Sequence, residues 1–180
     1  MNKKICDSKA VIQVIGSIYQ NPELLDNEQY NFNEDDFPMD FHKVMFGSIY
    51  NLHALGAKSI TVNTIEDYLE QRPQKLAIYK ANNGAEWIDK VKDTVSLATF
   101  DYYYKRLKKF TLLRMYDNIG VDIKSIYDVD NILDLKKKQK QEEWLDNVSI
   151  EEIADKINNK IEDIKLKYVD NSSDDIVSAG

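Results

Sequence analysis

The chain has 180 residues, with 24 lysines and arginines against 31 aspartates and glutamates and a formal net charge of −7. Hydrophobic residues make up 43% of it, which is too high for a disordered chain, and no apolar run reaches the roughly 18 residues of a membrane span. The excess of acidic residues argues against a domain whose main function is to bind nucleic acid, because such domains need a basic face that displaces the counterions of the phosphates.

The sequence contains no motif for catalysis or cofactor binding. Its glycines form neither a Gly-x-x-x-x-Gly-Lys-Ser/Thr phosphate loop nor a Gly-x-Gly-x-x-Gly loop, which excludes ATP hydrolysis of the phosphate-loop type by this chain. His42 and His53 are too isolated to indicate a zinc site. We therefore predict no catalytic residue, no metal site and no cofactor. The lone Cys6 and the absence of a signal-peptide pattern predict a cytoplasmic location.

The first part of the chain has the pattern of several short amphipathic helices. Apolar residues at helical spacing begin at Val11, after Asp7 or Ser8 as N-cap, and Asn21-Pro22 breaks this helix. The next helix is expected to open at Asp36-Phe37-Pro38 and to end at Gly56. The acidic cluster Glu34-Asp35-Asp36 is interpreted as carboxylates near the positive end of that helix dipole, in preference to a metal or acid–base site.

A third helix is expected after Thr61 or Asn63 and ends at Arg72-Pro73. Two brief amphipathic pieces follow, separated by a turn at residues 82–84. Residues 1–96 are therefore predicted to form a compact helical head.

A longer helix is predicted from Leu97 to about Ile126, because no proline interrupts this stretch and Ser96 can cap it. Thirty helical residues extend about 45 Å, longer than a small domain needs. Such a helix usually projects from its domain or packs along a partner.

The segment after this helix holds the run Lys136-Lys137-Lys138-Gln139-Lys140. One hypothesis is a phosphate-binding patch. Because Glu142 and Glu143 follow at once in an acidic chain, a solvated connector is the preferred interpretation.

The final helix is predicted from a capping box, Ser149 with Glu152 three residues later. Its apolar residues repeat with the 4, 3, 4, 3, 4 spacing of a coiled-coil seam, namely Ile150, Ala154, Ile157, Ile161, Ile164 and Tyr168. The expected fold class is all-α, a compact head followed by a long antiparallel helical hairpin over residues 97–169, with an acidic linker or tail at 170–180. The predicted interface residues on the two arms of this hairpin are Leu112, Met115, Ile119, Ile157, Ile161 and Ile164.

Several stretches, in a fixed order over roughly residues 8–170, carry a family resemblance. They include Asn21-Pro22-Glu23-Leu24-Leu25 after an Ala10–Tyr19 helix, then Asp35-Asp36-Phe37, His42-Lys43-Val44-Met45-Phe46 and Tyr102-Tyr103-Tyr104. This pattern resembles the N-terminal domain of DnaB-type replicative DNA helicases. The departures are Thr61 where an Asp is common, a single glycine at Asn83-Gly84, and the long Lys-rich connector. These departures indicate a phage or prophage relative.

The resemblance implies that this chain corresponds to one part of a helicase and does not itself contain the motor. In this family the ATPase lies C-terminal to the N-terminal domain, so ATP and Mg²⁺ are expected only on a C-terminal domain that this chain lacks. The N-terminal domains pair through their hairpins and form a collar on a hexameric ring, which also supports contacts to primase and to helicase loaders. The expected partners are therefore other copies of the chain, a primase and a loader, with no membrane.

Two alternatives to the helicase assembly domain remain open from the residues alone. One is the helicase-binding domain of a primase, which has a similar helical head and hairpin. The other is a phage adaptor that binds a host helicase. In each case direct DNA binding is expected to be weak or absent, and carried, if present, by Lys105, Arg106, Lys108, Lys109 or the 136–140 run.

Overall fold

A computed structural model describes residues 2–131 and 133–170 of the chain. Within these residues it contains eight α-helices and no β-strand, which confirms the all-α prediction. The helices are α1 (Ser8–Gln20), α2 (Asp40–Ala54), α3 (Val62–Glu70), α4 (Pro73–Ala81), α5 (Gly84–Lys92), α6 (Phe100–Asn118), α7 (Leu135–Asn147) and α8 (Ile150–Lys165). Short 3₁₀ turns span Pro22–Asp26, Glu34–Asp36 and Leu97–Thr99, and a π-helical turn spans Leu166–Asp170.

The chain forms two compact units, the first ending at Asn118 and the second beginning at Ile119. The predicted boundaries of the head and the hairpin, at residues 96 and 169, stay predictions. Apart from Asp170, the predicted acidic tail lies outside the described residues. In the described part of the chain, no helix is both long enough and apolar enough to cross a membrane.

The core of the first unit is built on α1, which packs against α2, α5 and α6. Val11, Val14, Ile15 and Ile18 of α1 are fully buried. A Cβ on Gly16 would lie 2.6 Å from the Val91 side chain, so the absence of a side chain there lets α1 approach α5 closely. The first unit is therefore a bundle centred on its first helix.

Three of the predicted helix ends agree with the observed caps, whereas Ser96 makes no capping side-chain hydrogen bond and α2 begins at Asp40, after the predicted opening. The Asp7 carboxylate accepts a hydrogen bond from the backbone N–H of Ala10 at 3.0 Å, and Thr61 forms a capping box with Thr64. Gly56 has a φ of +81° and follows the end of α2, as expected for a C′ glycine. Local side-chain chemistry thus sets the start or the end of each of these helices.

The predicted 97–126 helix is wrong in its length. Its α-helical part, α6, runs from Phe100 to Asn118, and Gly120 has a φ of +90°, which interrupts the helix. The predicted solvated connector contains a helix that the sequence analysis did not predict, α7, whose first turn is capped by the Asp134 carboxylate accepting from the Lys137 N–H at 3.0 Å. Lys, Gln, Glu and Leu all favour helix, and this propensity outweighs the local charge repulsion.

The second unit joins an irregular segment, described over residues 119–131 and 133–134, to α7 and α8. The Tyr127 hydroxyl donates to Glu142, and Gln141 exchanges two hydrogen bonds with the backbone of Asp128, at 2.8 and 3.1 Å. Its buried apolar residues are Ile123, Ile126, Tyr127, Leu145, Val148, Ile153 and Ile157. The irregular segment is therefore fixed to α7 by hydrogen bonds that the residue pattern alone does not indicate.

Candidate interaction surface

The three interface residues predicted on the first hairpin arm have different surroundings. Leu112 and Met115 lie on α6 and are half-buried. Ile119 lies just beyond the end of α6 and is 73% exposed. The packing of this stripe on the last helix stays a prediction.

The three residues predicted on the second arm share one face of α8 but differ in burial. Ile157 is fully buried, whereas Ile161 is 46% exposed and Ile164 is 60% exposed. The π-helical turn that follows adds further exposed apolar residues, Leu166, Tyr168 and Val169. We call the exposed set from Ile161 to Val169 the distal face of α8. One continuous apolar face is thus buried in its first half and exposed to solvent in its second half.

One buried residue of this face was missed by the predicted seam. Ile153 is fully buried, while Ala154, which the 4, 3, 4 repeat selected, is half-buried. The spacing Ile150, Ile153, Ile157 also fits a helical face. The larger side chain at position 153 is the signal that could have identified it.

The interpretation of Asp36 as a carboxylate near the amino end of α2 is wrong. The helix begins at Asp40, and Asp36 is almost fully buried in the preceding 3₁₀ turn. Its carboxylate accepts from Lys108 Nζ at 2.9 Å and from Thr111 Oγ1 at 2.8 Å. Both partners lie more than 70 residues away, so Asp36, which also accepts from the Asn33 N–H at 2.9 Å within its own turn, ties that turn to α6.

A second buried ionic group, Arg114, connects the carboxyl end of α6 to the start of the chain. Its guanidinium donates to the Ile5 carbonyl at 2.6 Å and to the Asp35 carbonyl. Burial lowers the pKa of this guanidinium, because the charged form loses its hydration. The two carbonyl contacts offset part of that loss and anchor α6.

The cations of α6 that were candidates for DNA binding are already engaged within the first unit. Arg106 Nε lies 2.6 Å from the Asp7 carboxylate, and Lys105 Nζ lies 2.7 Å from Asp101. Lys108 binds Asp36, as described above, and Lys109 is buried. Arg106, Lys108 and Lys109 therefore serve the structure of the first unit, whereas Lys105 forms only an exposed surface ion pair.

The histidines and the cysteine take structural positions. His42 packs against the rings of Phe41 and Trp87, and burial lowers its pKa. His53 Nε2 lies 2.9 Å from the Asp26 carboxylate. Burial raises the pKa of the Cys6 thiol. Among the described residues, no three His, Cys, Asp or Glu side chains are close enough together to hold a metal ion.

Comparisons with known proteins give one family match and one relative. The DnaB-like helicase N-terminal domain family matches residues 5–109. The SPbeta prophage-derived uncharacterized protein YorI of Bacillus subtilis (strain 168) is 40% identical over 163 residues, which cover 90% of this chain and 32% of that relative. The chain thus spans about a third of the length of the relative it matches. No solved structure matches the chain.

The family match covers α1 to α5 and the first half of α6, which is more than half of the chain. It confirms the resemblance drawn from the short motifs, and the prophage origin of the relative agrees with the predicted phage or prophage relationship. The chain belongs to the family of DnaB-like helicase N-terminal domains.

Proposed function

We propose that this chain is the assembly and protein-interaction domain of a replicative DNA helicase in the cytoplasm. In this role it forms the collar of a hexameric ring and docks a primase or a helicase loader. Family membership supports this role. The chain itself has no phosphate loop, so ATP and Mg²⁺ belong to a separate motor domain.

The observation that carries the proposal is the distal face of α8. Ile161 and Ile164 continue the face of the buried Ile157 but remain exposed in the single chain. Each Å² of apolar surface left in water forgoes about 25 cal/mol of stabilisation, so covering this face with a second copy favours association. A two-fold arrangement lets one patch serve both copies.

The test is the substitution Ile161→Asp. We expect the variant to lose oligomer mass in light scattering, because a carboxylate buried between two copies costs several kcal/mol. Its helical circular dichroism should persist, since Ile161 is not part of the buried core. The matched control is Leu55→Asp at the carboxyl end of α2, where the side chain is 77% exposed, and this variant should keep the wild-type mass.

A second control separates interface from core. Ile157→Asp should lower the helical signal, because this residue is fully buried in the second unit. A wild-type chain that stays monomeric at high concentration would rule out a collar role for this face. Unfolding of Ile161→Asp to the same extent as Ile157→Asp would show that the distal face is core.

A further inference from the structure

The lysine run is a charged surface that the assembly role does not use. Lys136, Lys137, Lys138 and Lys140 lie in the first two turns of α7, and all four are exposed. Within the described residues, none of their ammonium groups makes an ion pair. The run therefore presents four positive charges on a formed helix.

The carboxylates that follow the run are engaged elsewhere. Glu142 accepts a hydrogen bond from the Tyr127 hydroxyl, and Glu143 Oε1 accepts one from Gln139 Nε2 at 3.0 Å. The Asp134 carboxylate, just before the helix, accepts from a backbone N–H as the N-cap. These carboxylates keep their charge and lower the local positive potential, but among the described residues the lysines of the run form no ion pair with them. The preferred interpretation as a solvated connector therefore leaves the four ammonium groups available to a ligand.

Helical spacing places some of these lysines on the face of α7 that also carries an aromatic ring. Lys136, Lys140 and Trp144 are four residues apart in turn and share one face of α7, over about 12 Å of helix axis. Lys137 lies three residues before Lys140 and borders the same face. From α8, Lys156 Nζ lies 4.9 Å from the centroid of the half-buried Trp144 ring. We call these five residues the α7 basic face.

We propose that the α7 basic face binds single-stranded nucleic acid. Ammonium groups neutralise backbone phosphates, and the exposed part of the Trp144 ring, which Lys156 covers only on one side, offers a surface on which a base can stack. Of the two places where the sequence predicts DNA contacts, α6 has its cations paired or buried, which leaves this face.

A single strand fits this patch better than a duplex does. The chain carries a net charge of −7, so a stiff duplex, with twice the phosphate charge per length, meets more overall repulsion than a single strand does. A flexible strand can follow a patch about 12 Å long and avoid the carboxylates around it. The predicted affinity is low and falls steeply with salt.

The experiment measures binding of fluorescent dT15 and rU15 to the full chain by anisotropy at several salt concentrations. For wild type we expect the logarithm of the binding constant to fall with the logarithm of salt, with a slope of roughly −2 to −3 for three or four phosphate contacts. For the triple variant Lys136→Gln, Lys137→Gln, Lys140→Gln, the binding constant should fall by about tenfold or more. Gln has nearly the helix propensity of Lys, so α7 should persist in circular dichroism.

The control is a triple variant with the same change of net charge in the first unit, namely Lys75→Gln, Lys80→Gln, Lys90→Gln. These three lysines are also exposed and unpaired among the described residues. The control should retain most of the wild-type binding. Equal losses in the two triple variants, or no binding by wild type at low salt, would overturn the proposal.

Trp144 provides an independent readout. In a Trp87→Phe background it is the only tryptophan, and we expect dT15 to quench its fluorescence. An acidic peptide, poly-glutamate of 15 residues, should neither quench Trp144 nor displace dT15 at equal charge concentration. Displacement by the peptide would identify the face as a docking site for acidic proteins and would overturn the nucleic-acid proposal.

Discussion

Two glycines inside helices have opposite surroundings, and this decides what a methyl group would do at each. A Cβ at Gly16 would lie 2.6 Å from the side chains of Val91 and Val95, whereas a Cβ at Gly47 in α2 would meet nothing within 4 Å. Alanine at position 47 should raise the free energy of unfolding by about 0.5–1 kcal/mol, because the unfolded chain loses freedom and the helix accepts the residue.

Gly16→Ala is the matched substitution in α1 and should lower the free energy of unfolding, because α1 and α5 would have to separate. Urea unfolding of both variants gives the comparison. Stabilisation by both substitutions would show that the close approach at Gly16 is absent in solution.

His42 predicts a pH dependence of stability. Burial against Phe41 and Trp87 lowers its pKa, so the unfolded chain takes up a proton at a higher pH than the folded chain does. The free energy of unfolding should therefore fall as pH decreases below the ordinary histidine value of about 6.5, and should be unaffected by this group above it. His42→Gln should remove this part of the slope when urea midpoints are compared between pH 7.5 and pH 5.5. If the urea midpoints of wild type and His42→Gln change with pH in parallel, the assignment of this pH dependence to His42 is wrong.

At single positions, the sequence predicts what depends on neighbours in the chain. Asp7, Thr61 and Ser149 are caps whose partners lie three residues away, and all three cap as expected. Asp36 and Arg114 are different. Each has a partner three residues away, but the contacts that bury them, from Asp36 to Thr111 and from Arg114 to the Ile5 carbonyl, join residues more than 70 positions apart. From the sequence alone, the buried carboxylate of Asp36 cannot be distinguished from a surface carboxylate, because its burial depends on the packing of α6 against the turn.

At the scale of the element, apolar periodicity predicted the positions of α1 to α5 and of α8. The same signal failed between α6 and α7, where Ile123 and Ile126 keep helical spacing and are buried, although the described backbone there is irregular and most of its residues are exposed. The spacing of apolar residues predicts which side chains are buried, but it does not predict the backbone conformation of the segment that carries them. The positive φ of Gly120 prevents α6 from continuing. A glycine within a helical pattern can also adopt helical φ, so the sequence alone does not predict this break.

The face of α8 shows a related limit. Ile157 and Ile161 are one turn apart in the same repeat, yet one is fully buried and the other is half exposed. Their sequence context is equivalent, so the pattern predicts the face but not the point where the chain's own core stops. That point separates core from candidate interface, and it comes only from the structure.

At the scale of the whole molecule, the family match ends inside a helix. Residue 109 lies in the middle of α6, and the residues that follow it carry buried contacts of the first unit. Leu113 is fully buried, Thr111 binds Asp36, and Arg114 binds the Ile5 carbonyl. The folding unit therefore extends beyond the matched region to the end of α6.

Two truncations test this extension. A chain of residues 1–118 should unfold cooperatively, because it keeps every buried contact of the first unit. A chain of residues 1–109 loses Leu113, and this alone should lower the free energy of unfolding by roughly 2–5 kcal/mol. It also leaves the Asp36 carboxylate without Thr111 and the Ile5 carbonyl without Arg114, which adds to the loss. Urea unfolding followed by circular dichroism measures both chains. Equal stability of the two would mean that the last two turns of α6 contribute nothing to the first unit and that its core ends with the matched region.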